Sequence, residues 1–256
     1  MKITVTLYTT KENMSALNIK DYITIVIPCK NEFNYIGKTI HHINGQYGIE
    51  GTRVIIADAN SNDGTTEFID FMIDLYKDTL KIERIQGGKV AYNRNKGAEL
   101  VTTPYILFMD ADTILLNDGI INNTLYEMDW NKLDLMTCKV KSVGNDIRTN
   151  ITFSIFNLIN KVISRKTPFA VGTYFLTRKD KFNELKGFDE TLDNSEDYWL
   201  SKQYNPKKFR ISNHYIGQDD RRFKKMGYIG MIRLIIQGYL NRNNIEFFKK
   251  DIGYWN

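Results

Sequence analysis

The sequence has few of the features that mark secreted or membrane-spanning chains. It contains 2 cysteines and 4 prolines in 256 residues. Cys29 and Cys138 both lie in apolar, strand-like runs, which indicates buried thiols in a reducing compartment rather than a disulfide framework. The N-terminus lacks the apolar stretch and small-residue cleavage site of a signal peptide, and no uninterrupted apolar run reaches about 18 residues. We therefore predict a cytoplasmic protein, with peripheral contact at the cytosolic face of a membrane left open.

A strong excess of one charge is also missing. The 35 Lys and Arg residues outnumber the 30 Asp and Glu residues by only 5. Such a mild positive balance suits an anionic small ligand or an anionic membrane surface, and no Lys/Arg run is long enough to predict a nucleic-acid partner. What the chain does have is 42% hydrophobic and 12% aromatic residues, which is typical of a packed globular protein. Its length predicts one large domain.

The first half of the sequence alternates between strand and helix patterns. Runs rich in β-branched residues predict strands at 22–29, 53–57, 81–85 and 105–109. Helical spacing of apolar residues predicts helices at 34–46, 68–76 and 89–101. This alternation predicts an α/β fold with a central, mostly parallel sheet flanked by helices. Polar clusters follow the strands, where ligands bind in such sheets.

The second half is less regular. Strands are predicted at 133–140 and 173–177, and helices at 150–164, 195–204 and 228–241. Two of these helices carry apolar stripes, at 151–162 and 228–241. We expect both stripes to pack onto the core, with contact at a membrane interface as the alternative.

Two carboxylates end the fourth predicted strand. Asp110 and Asp112 are two residues apart, so both side chains are expected on one face of the strand. Such a pair repels unless a cation lies between its members, and Mg²⁺ and Mn²⁺ prefer these oxygen ligands. A solvated acidic loop gives the same pattern. His214 follows an apolar run and is a candidate to complete the metal site, with a structural histidine as the alternative.

Two other clusters are suited to a nucleotide. Asp58 ends the second strand, where its carboxylate is placed to accept a hydrogen bond from a nucleobase, while Ser61 and Asp63 fit helix capping. Arg94 and Lys89 lie at the helix before the fourth strand, and cations there match a diphosphate. A solvated basic helix face would look the same.

Two late clusters remain. Glu196 and Asp197 begin a predicted helix, where carboxylates are stabilised by the helix dipole. A functional interpretation makes Asp197 a general base that takes a proton from a hydroxyl group. The cluster containing Arg221 and Arg222 suits a diphosphate, an acidic lipid head group or a solvated turn.

Together and in order, these elements resemble the family 2 glycosyltransferases, which have the GT-A fold. The resemblance runs from Ile23 to about Gly227. Its motifs are Val26-Ile27-Pro28-Cys29-Lys30-Asn31-Glu32, Asp58-Ala59-Asn60-Ser61-Asn62-Asp63-Gly64-Thr65, Arg94-Asn95-Lys96-Gly97, Asp110-Ala111-Asp112, and Gly187-Phe188-Asp189-Glu190 before Ser195-Glu196-Asp197. It implies a single GT-A-like domain over 1–256. A Rossmann-like, nucleotide-sugar-binding half would occupy about 21–113 and an acceptor-binding half about 114–256.

The resemblance also implies roles for individual residues. The nucleoside would be held by the loop after the first strand and by the residue ending the second, namely Pro28, Lys30, Asn31, Glu32 and Asp58. Many relatives have a second Asp where this chain has Ala59.

Other roles concern the metal and the reaction. Arg94 would lie near the diphosphate, and Asp112 would be the firmer metal ligand, with Asp110 reaching ribose or metal-bound water. Asp197 matches the family's catalytic base, beside Glu196. Arg221 and Arg222 resemble a late element of some members.

The implied reaction is a single inverting displacement on a nucleotide-sugar donor. UDP is the expected nucleotide, with GDP next, and Mn²⁺ or Mg²⁺ the expected metal. The acceptor would be a glycan, a lipid-linked sugar or a protein. Two alternatives stay open. One is a sugar nucleotidyltransferase, a class that typically has a Gly-rich loop after the first strand. The other is a non-catalytic binding module for a nucleotide-sugar or a membrane surface.

Overall fold

The structure is a computed structural model that describes residues 18–144 and 146–250. The strands are β1 Ile23–Cys29, β2 Arg53–Asp58, β3 Lys81–Gln86, β4 Tyr105–Phe108, β5 Ile114–Leu115, β6 Leu135–Ser142, β7 Phe175–Arg178 and β8 Phe209–Gln218. The helices are α1 Ile19–Tyr22, α2 Ile36–Asn44, α3 Thr65–Leu75, α4 Val90–Glu99, α5 Ile120–Trp130, α6 Ile147–Ile163, α7 Lys179–Glu184, α8 Glu196–Ser201, α9 Arg221–Leu240 and α10 Ile245–Phe248, with a 3₁₀ turn at Pro206–Lys208.

All eight strands form one sheet in the order β3-β2-β1-β4-β7-β6-β8-β5. The neighbours from β3 to β4 are parallel, and β6 and β8 are parallel to each other. Strands β7 and β5 run antiparallel to their neighbours. The predicted mostly parallel sheet is therefore confirmed.

The sheet is covered on both faces by apolar side chains. In β1, Ile25 and Ile27 belong to one core cluster and Val26 to the other, because successive side chains point to opposite faces. Every residue of β1 is buried. Its continuous β-branched run is what a central strand between two helical layers requires.

The two outer strands of the sheet differ from this core. Strand β3 carries Lys81, Glu83 and Arg84 and has only Ile82 fully buried. Strand β5, at the opposite edge, is only two residues long. The sheet therefore ends in a charged strand on one side and a very short strand on the other.

Some elements of the second half were not predicted. Helix α5 buries Asn122 and Thr124, residues with low helix propensity, so its pattern resembles a loop. Strand β8 exposes Arg210 and Asn213, and its buried residues do not alternate regularly with exposed ones, which hides its strand character. His214 was expected after a strand-like run, and it lies inside β8.

The expectation that the stripe on α6 packs onto the core is wrong. Leu158 is 64% exposed and Ile147 71% exposed, whereas Thr149 and Asn160 are buried. Helix α9 bends at Gly227, whose φ of 71° is a left-handed value that suits glycine, and Ile229 beyond the bend is exposed. Within 18–144 and 146–250, no helix is long and apolar enough to cross a membrane.

Candidate active site

The first two strand-end loops are tied together. The Asn31 backbone N–H donates to Ser61 Oγ at 2.8 Å, and the Asn62 N–H donates to Asn31 Oδ1 at 3.0 Å. Asn31 and Asn60 both have positive φ, at 55° and 54°. Left-handed backbone costs energy in residues other than glycine and is least costly for Asn, so these loops hold a specific shape.

Asp58 organises its own loop. Its Oδ1 accepts hydrogen bonds from the Ser61 N–H at 3.2 Å and the Ser61 hydroxyl at 2.6 Å, and its Oδ2 accepts from Thr66 Oγ1 at 2.5 Å. Of the other residues predicted to bind the nucleoside, Pro28 is buried within β1 and Lys30 is exposed beyond the strand's end. Their contacts with a nucleotide stay predictions.

The Asp110-Ala111-Asp112 motif lies in a turn. Strand β4 ends at Phe108, and the Thr113 N–H donates to the Asp110 carbonyl at 3.2 Å. Strand periodicity therefore does not extend to the motif, and the two carboxylates are held separately. Asp110 is bound by Arg94 and Asp112 by Arg221.

The first group of charges, here called the Arg94 cluster, consists of Arg94, Asp110, Glu196 and Asp197. Arg94 is 1% exposed, donates to Asp110 Oδ1 at 2.7 Å, and forms a second hydrogen bond with Glu196. Burial opposes its charge, but Glu196 and Asp110 outweigh that penalty and raise the pKa of Arg94. Glu196 was predicted to be catalytic, and the structure places it as the buried partner of Arg94.

Asp197 is the member of the Arg94 cluster that is partly accessible and held by backbone donors. Its Oδ2 accepts from the Gly172 N–H at 2.8 Å, and its Oδ1 accepts from the Tyr198 N–H at 2.7 Å. Desolvation by its surroundings, and next the charge of Glu196, raise the pKa of Asp197 against the opposing effect of Arg94. A carboxylate with a raised pKa and fixed orientation is suited to accept a proton.

Gly172 allows this arrangement. A Cβ at Gly172 would lie 2.3 Å from Nη2 of Arg94, closer than any real contact. The absence of a side chain lets the backbone approach the guanidinium and donate to Asp197. No pattern in the sequence identified Gly172 as a residue of the site.

The second group, here called the Arg221 cluster, consists of Arg221, Glu32, Asp112 and Tyr35. Arg221 donates to both oxygens of Glu32 at 2.7 Å and to Asp112 Oδ2 at 2.8 Å, and its guanidinium carbon lies 4.3 Å from the centre of the Tyr35 ring. Burial raises the pKa of Glu32, the hydrogen bond from Arg221 opposes this rise, and the charges of Asp112 and Asp110 add to it. Two neighbouring carboxylates therefore act on Glu32 at this point.

Of the remaining predicted residues, two lie outside the two arginine clusters and the third has no described side chain. Lys89 donates to Asp193 at 2.6 Å and is largely exposed. His214 lines a cleft of about 650 Å³ together with Asn150, Asn157 and Tyr215, and neither carboxylate of the Asp110-Ala111-Asp112 motif lines it. Burial lowers the pKa of His214. Arg222 lies outside the residues whose side chains the structure describes.

Two asparagines of α4 were missed as positioning residues. Asn93 donates to the Ala57 carbonyl at 3.1 Å and accepts a hydrogen bond from the Gly88 N–H. Asn95 exchanges two hydrogen bonds with the backbone of Phe188, each at 2.9 Å. Asparagine is unfavourable inside helices, so two of them in one short helix are a signal that sequence reasoning had available.

The chain is similar to known proteins in sequence and in fold. Residues 24–186 match the sequence model of the family described as Glycosyl transferase family 2. The solved structure of S. aureus TarS 1-349 in complex with UDP-GlcNAc superposes with a TM-score of 0.62 at 19% identity, covering 77% of this chain and 58% of that one. The mannosyltransferase PcManGT from Pyrobaculum calidifontis, in complex with GDP-Man and Mn²⁺, superposes with a TM-score of 0.61 at 16% identity, covering 77% and 56%. No curated protein matches the chain significantly by sequence.

The structural likenesses establish the fold, and the sequence model establishes the family. The chain spans less than two thirds of the length of these two solved structures. The GT-A-type α/β fold predicted from sequence is thereby confirmed. Because more than half of its residues match the family's sequence model, this chain carries a glycosyltransferase domain and belongs to Glycosyl transferase family 2.

Proposed function

We propose that this protein transfers a sugar from a nucleoside diphosphate to an acceptor hydroxyl group with inversion at the anomeric carbon. The observation that carries the proposal is Asp197, a partly accessible carboxylate with a raised pKa beside the buried pair of Arg94 and Glu196. The family and the nucleotide-sugar complexes of two solved relatives support the substrate class.

In the proposed step Asp197 accepts the proton of the acceptor hydroxyl. The acceptor oxygen forms a bond to the anomeric carbon while the bond from that carbon to the diphosphate oxygen breaks, and the nucleoside diphosphate leaves. The Gly172 N–H keeps Oδ2 of Asp197 in place during this transfer. Glu196 holds Arg94 and raises the proton affinity of Asp197, which makes it a positioning residue.

The residues present fit a divalent metal. Glu32 and Asp112 converge on one guanidinium within 2.8 Å, so two carboxylates share a position where positive charge is stabilised. Among the side chains described, no group of three or more His, Cys, Asp or Glu could hold a metal ion. Mg²⁺ and Mn²⁺ commonly use one or two carboxylates plus substrate phosphates, so such a small set suffices. Asp112, with Asp110 close by, would hold the ion, which when bound neutralises charge on the leaving diphosphate.

The same residues suggest how the nucleotide-sugar donor would bind. The loops at Asn31 and Asp58 would bind the nucleoside, and Arg221 would exchange Glu32 and Asp112 for the diphosphate when metal and donor arrive. We propose UDP as the nucleotide, with GDP as the alternative, and the solved relatives bound to UDP-GlcNAc and to GDP-Man make both nucleotides candidates. Thermal-shift measurements with UDP, GDP, CDP and dTDP plus Mn²⁺ would rank the nucleotides by affinity. A nucleotide at a hundredfold excess over its Kd raises the free energy of unfolding by about 2.7 kcal/mol.

The test of the reaction is release of nucleoside diphosphate by Asp197→Asn. We expect kcat to fall by about 10²–10⁴-fold while donor affinity stays unchanged, since a general base contributes that factor. Asp193→Asn is the matched control, because Asp193 lies four residues earlier and pairs with the exposed Lys89. Near-normal transfer by Asp197→Asn would contradict the assigned base.

We propose that residues of about 114–256 bind the acceptor, since Asp197 and Gly172 both belong to that half. A glycan, a lipid-linked sugar or a protein would each supply the hydroxyl group that the mechanism needs.

A further inference from the structure

One face of α6 exposes a row of large aliphatic side chains. Its members are 45–71% exposed and comprise Ile147, Ile151, Ile155, Leu158, Ile159 and Val162. At 3.6 residues per turn these positions fall within an arc of about 120°. The opposite side of the helix contains the buried Thr149 and Asn160 and the ring of Phe153. The helix therefore directs its most apolar face outward, which marks an interaction surface.

Helix α9 packs beside the first half of α6. Phe153 and Phe223 are in edge contact at 5.5 Å, and the hydroxyl groups of Thr149 and Tyr228 are 2.8 Å apart. Past the bend at Gly227, α9 exposes Ile229 at 85%. We call these side chains the α6–α9 surface, defined as the six aliphatic residues of α6 with Met226, Ile229, Ile236 and Leu240 of α9.

The charged residues within α6 and α9 are all basic. No Asp or Glu occurs between residues 147 and 179 or between 221 and 245. Arg148 and Lys224 pair with carboxylates at the two helix starts. Exposed cations also occur along or just after the two helices, at Lys161, Arg165, Lys166, Lys225 and Arg233. The two helices thus combine exposed aliphatic side chains with basic residues, and their acidic neighbours lie at the helix starts.

We infer that the α6–α9 surface lies on an anionic lipid bilayer. A helix of this composition places its apolar face at the boundary between head groups and acyl chains, while its cations attract anionic head groups. Charge complementarity selects an anionic partner, and the isoleucine-rich face of α6 selects a lipid one. Since α9 begins at Arg221, the surface adjoins the Arg221 cluster. The inference does not depend on the proposed sugar transfer.

The test is co-sedimentation of the full chain with vesicles of phosphatidylglycerol and phosphatidylcholine, compared with phosphatidylcholine alone. We expect at least tenfold stronger partitioning onto the anionic vesicles. Leu158→Glu should abolish this gain, whereas Leu75→Glu should keep it. Leu75 is the matched control because it is 56% exposed, like Leu158 at 64%, but lies on α3.

A second set of variants tests the charge contribution. Replacing Lys161, Arg165 or Lys166 by Gln should each weaken binding to anionic vesicles roughly fivefold, since a cation near such a surface contributes about 1 kcal/mol. Circular dichroism and release of nucleoside diphosphate should match the unchanged protein, because these side chains are exposed and lie outside both arginine clusters.

Three results would overturn the inference. Equal partitioning onto anionic and neutral vesicles would remove the role of charge. Binding that survives Leu158→Glu and disappears in high salt would show that cations alone are responsible. A dimer in solution that Leu158→Glu dissociates, with no vesicle binding, would make the surface a contact between two copies of the chain.

Discussion

The two arginine clusters share one short motif and differ in almost everything else. Arg94 is 1% exposed, whereas the side chain of Arg221 is 30% exposed. Each binds one Asp of the Asp110-Ala111-Asp112 turn and one Glu from a distant segment. The Arg94 cluster keeps the base Asp197 beside a buried guanidinium, and the Arg221 cluster is centred on a guanidinium that solvent reaches, although its Asp112 is only 4% exposed. Two acidic residues of one turn thus bind arginines of very different exposure.

The largest expected effect is on the Arg94 cluster. Arg94→Met should lower the free energy of unfolding by about 3–5 kcal/mol, because it leaves the buried Glu196 and the half-buried Asp110 without their cation. Urea denaturation measures the change. Arg94→Met combined with Glu196→Gln should recover part of the loss, since one of those charges is then gone. A loss below about 1 kcal/mol in the single variant would show that the clusters do not differ as described.

A smaller loss of stability is expected when a side chain is added beside Arg94. Gly172→Ala should lower the free energy of unfolding by about 1–3 kcal/mol, because its Cβ would lie 2.3 Å from Nη2 of Arg94. Gly238→Ala is the control, since a Cβ there has no neighbour within 4 Å and alanine favours the helix. If both variants unfold at the same urea concentration, the packing around Arg94 is looser than the structure shows.

The pH dependence of transfer should reflect the base Asp197 of the Arg94 cluster. The protein raises the pKa of Asp197 to about 7, and only the ionised carboxylate accepts a proton. The rate should therefore fall about tenfold per pH unit below that value and level off above it. An unperturbed Asp would lose activity only near pH 4. A pH–rate profile of kcat/KM measures this, and an acidic limb near pH 4 would contradict the raised pKa.

The smallest effect is expected at the Arg221 cluster. Arg221→Met should lower the free energy of unfolding by about 1–2 kcal/mol, less than Arg94→Met, because Arg221 is itself 30% exposed, although the 4% exposed Asp112 loses a donor. Mn²⁺ should stabilise this variant more than the unchanged protein, because the ion then meets Glu32 and Asp112 without a competing guanidinium. Thermal unfolding with and without Mn²⁺ tests both statements. A cost as large as that of Arg94→Met would erase the contrast between the clusters.

The first half of the fold could be predicted because its signals are local. The β-branched runs of β1 and β2 require burial on both faces, and parallel strands bring their carboxyl ends together. Asp58, Asp110 and Asp112 could therefore be expected near one another. The second half was harder, since polar residues such as Asn122 in α5 conceal helical periodicity.

The contacts that could not be predicted join residues that are far apart in the sequence. Arg94 and Glu196 are 102 positions apart, and Arg221 and Glu32 are 189 apart, so no pattern in the sequence couples them. Similarly, the spacing of Ile151, Ile155 and Leu158 shows that α6 has an apolar face. It does not show on which side of the helix the rest of the protein lies, and that is why the expected core packing was wrong.

The two ends of the sheet determine how copies of this protein can associate. An unpaired strand edge is a template for another chain, and long, flat, apolar edges lead to aggregation. Strand β3 carries Lys81, Glu83 and Arg84, and β5 offers only two residues for pairing. Growth of the sheet from one molecule into the next is disfavoured at both edges. Within residues 18–144 and 146–250, the exposed helical surfaces are therefore better suited to ordered self-association than the sheet edges, and there side chains rather than backbone hydrogen bonds decide specificity.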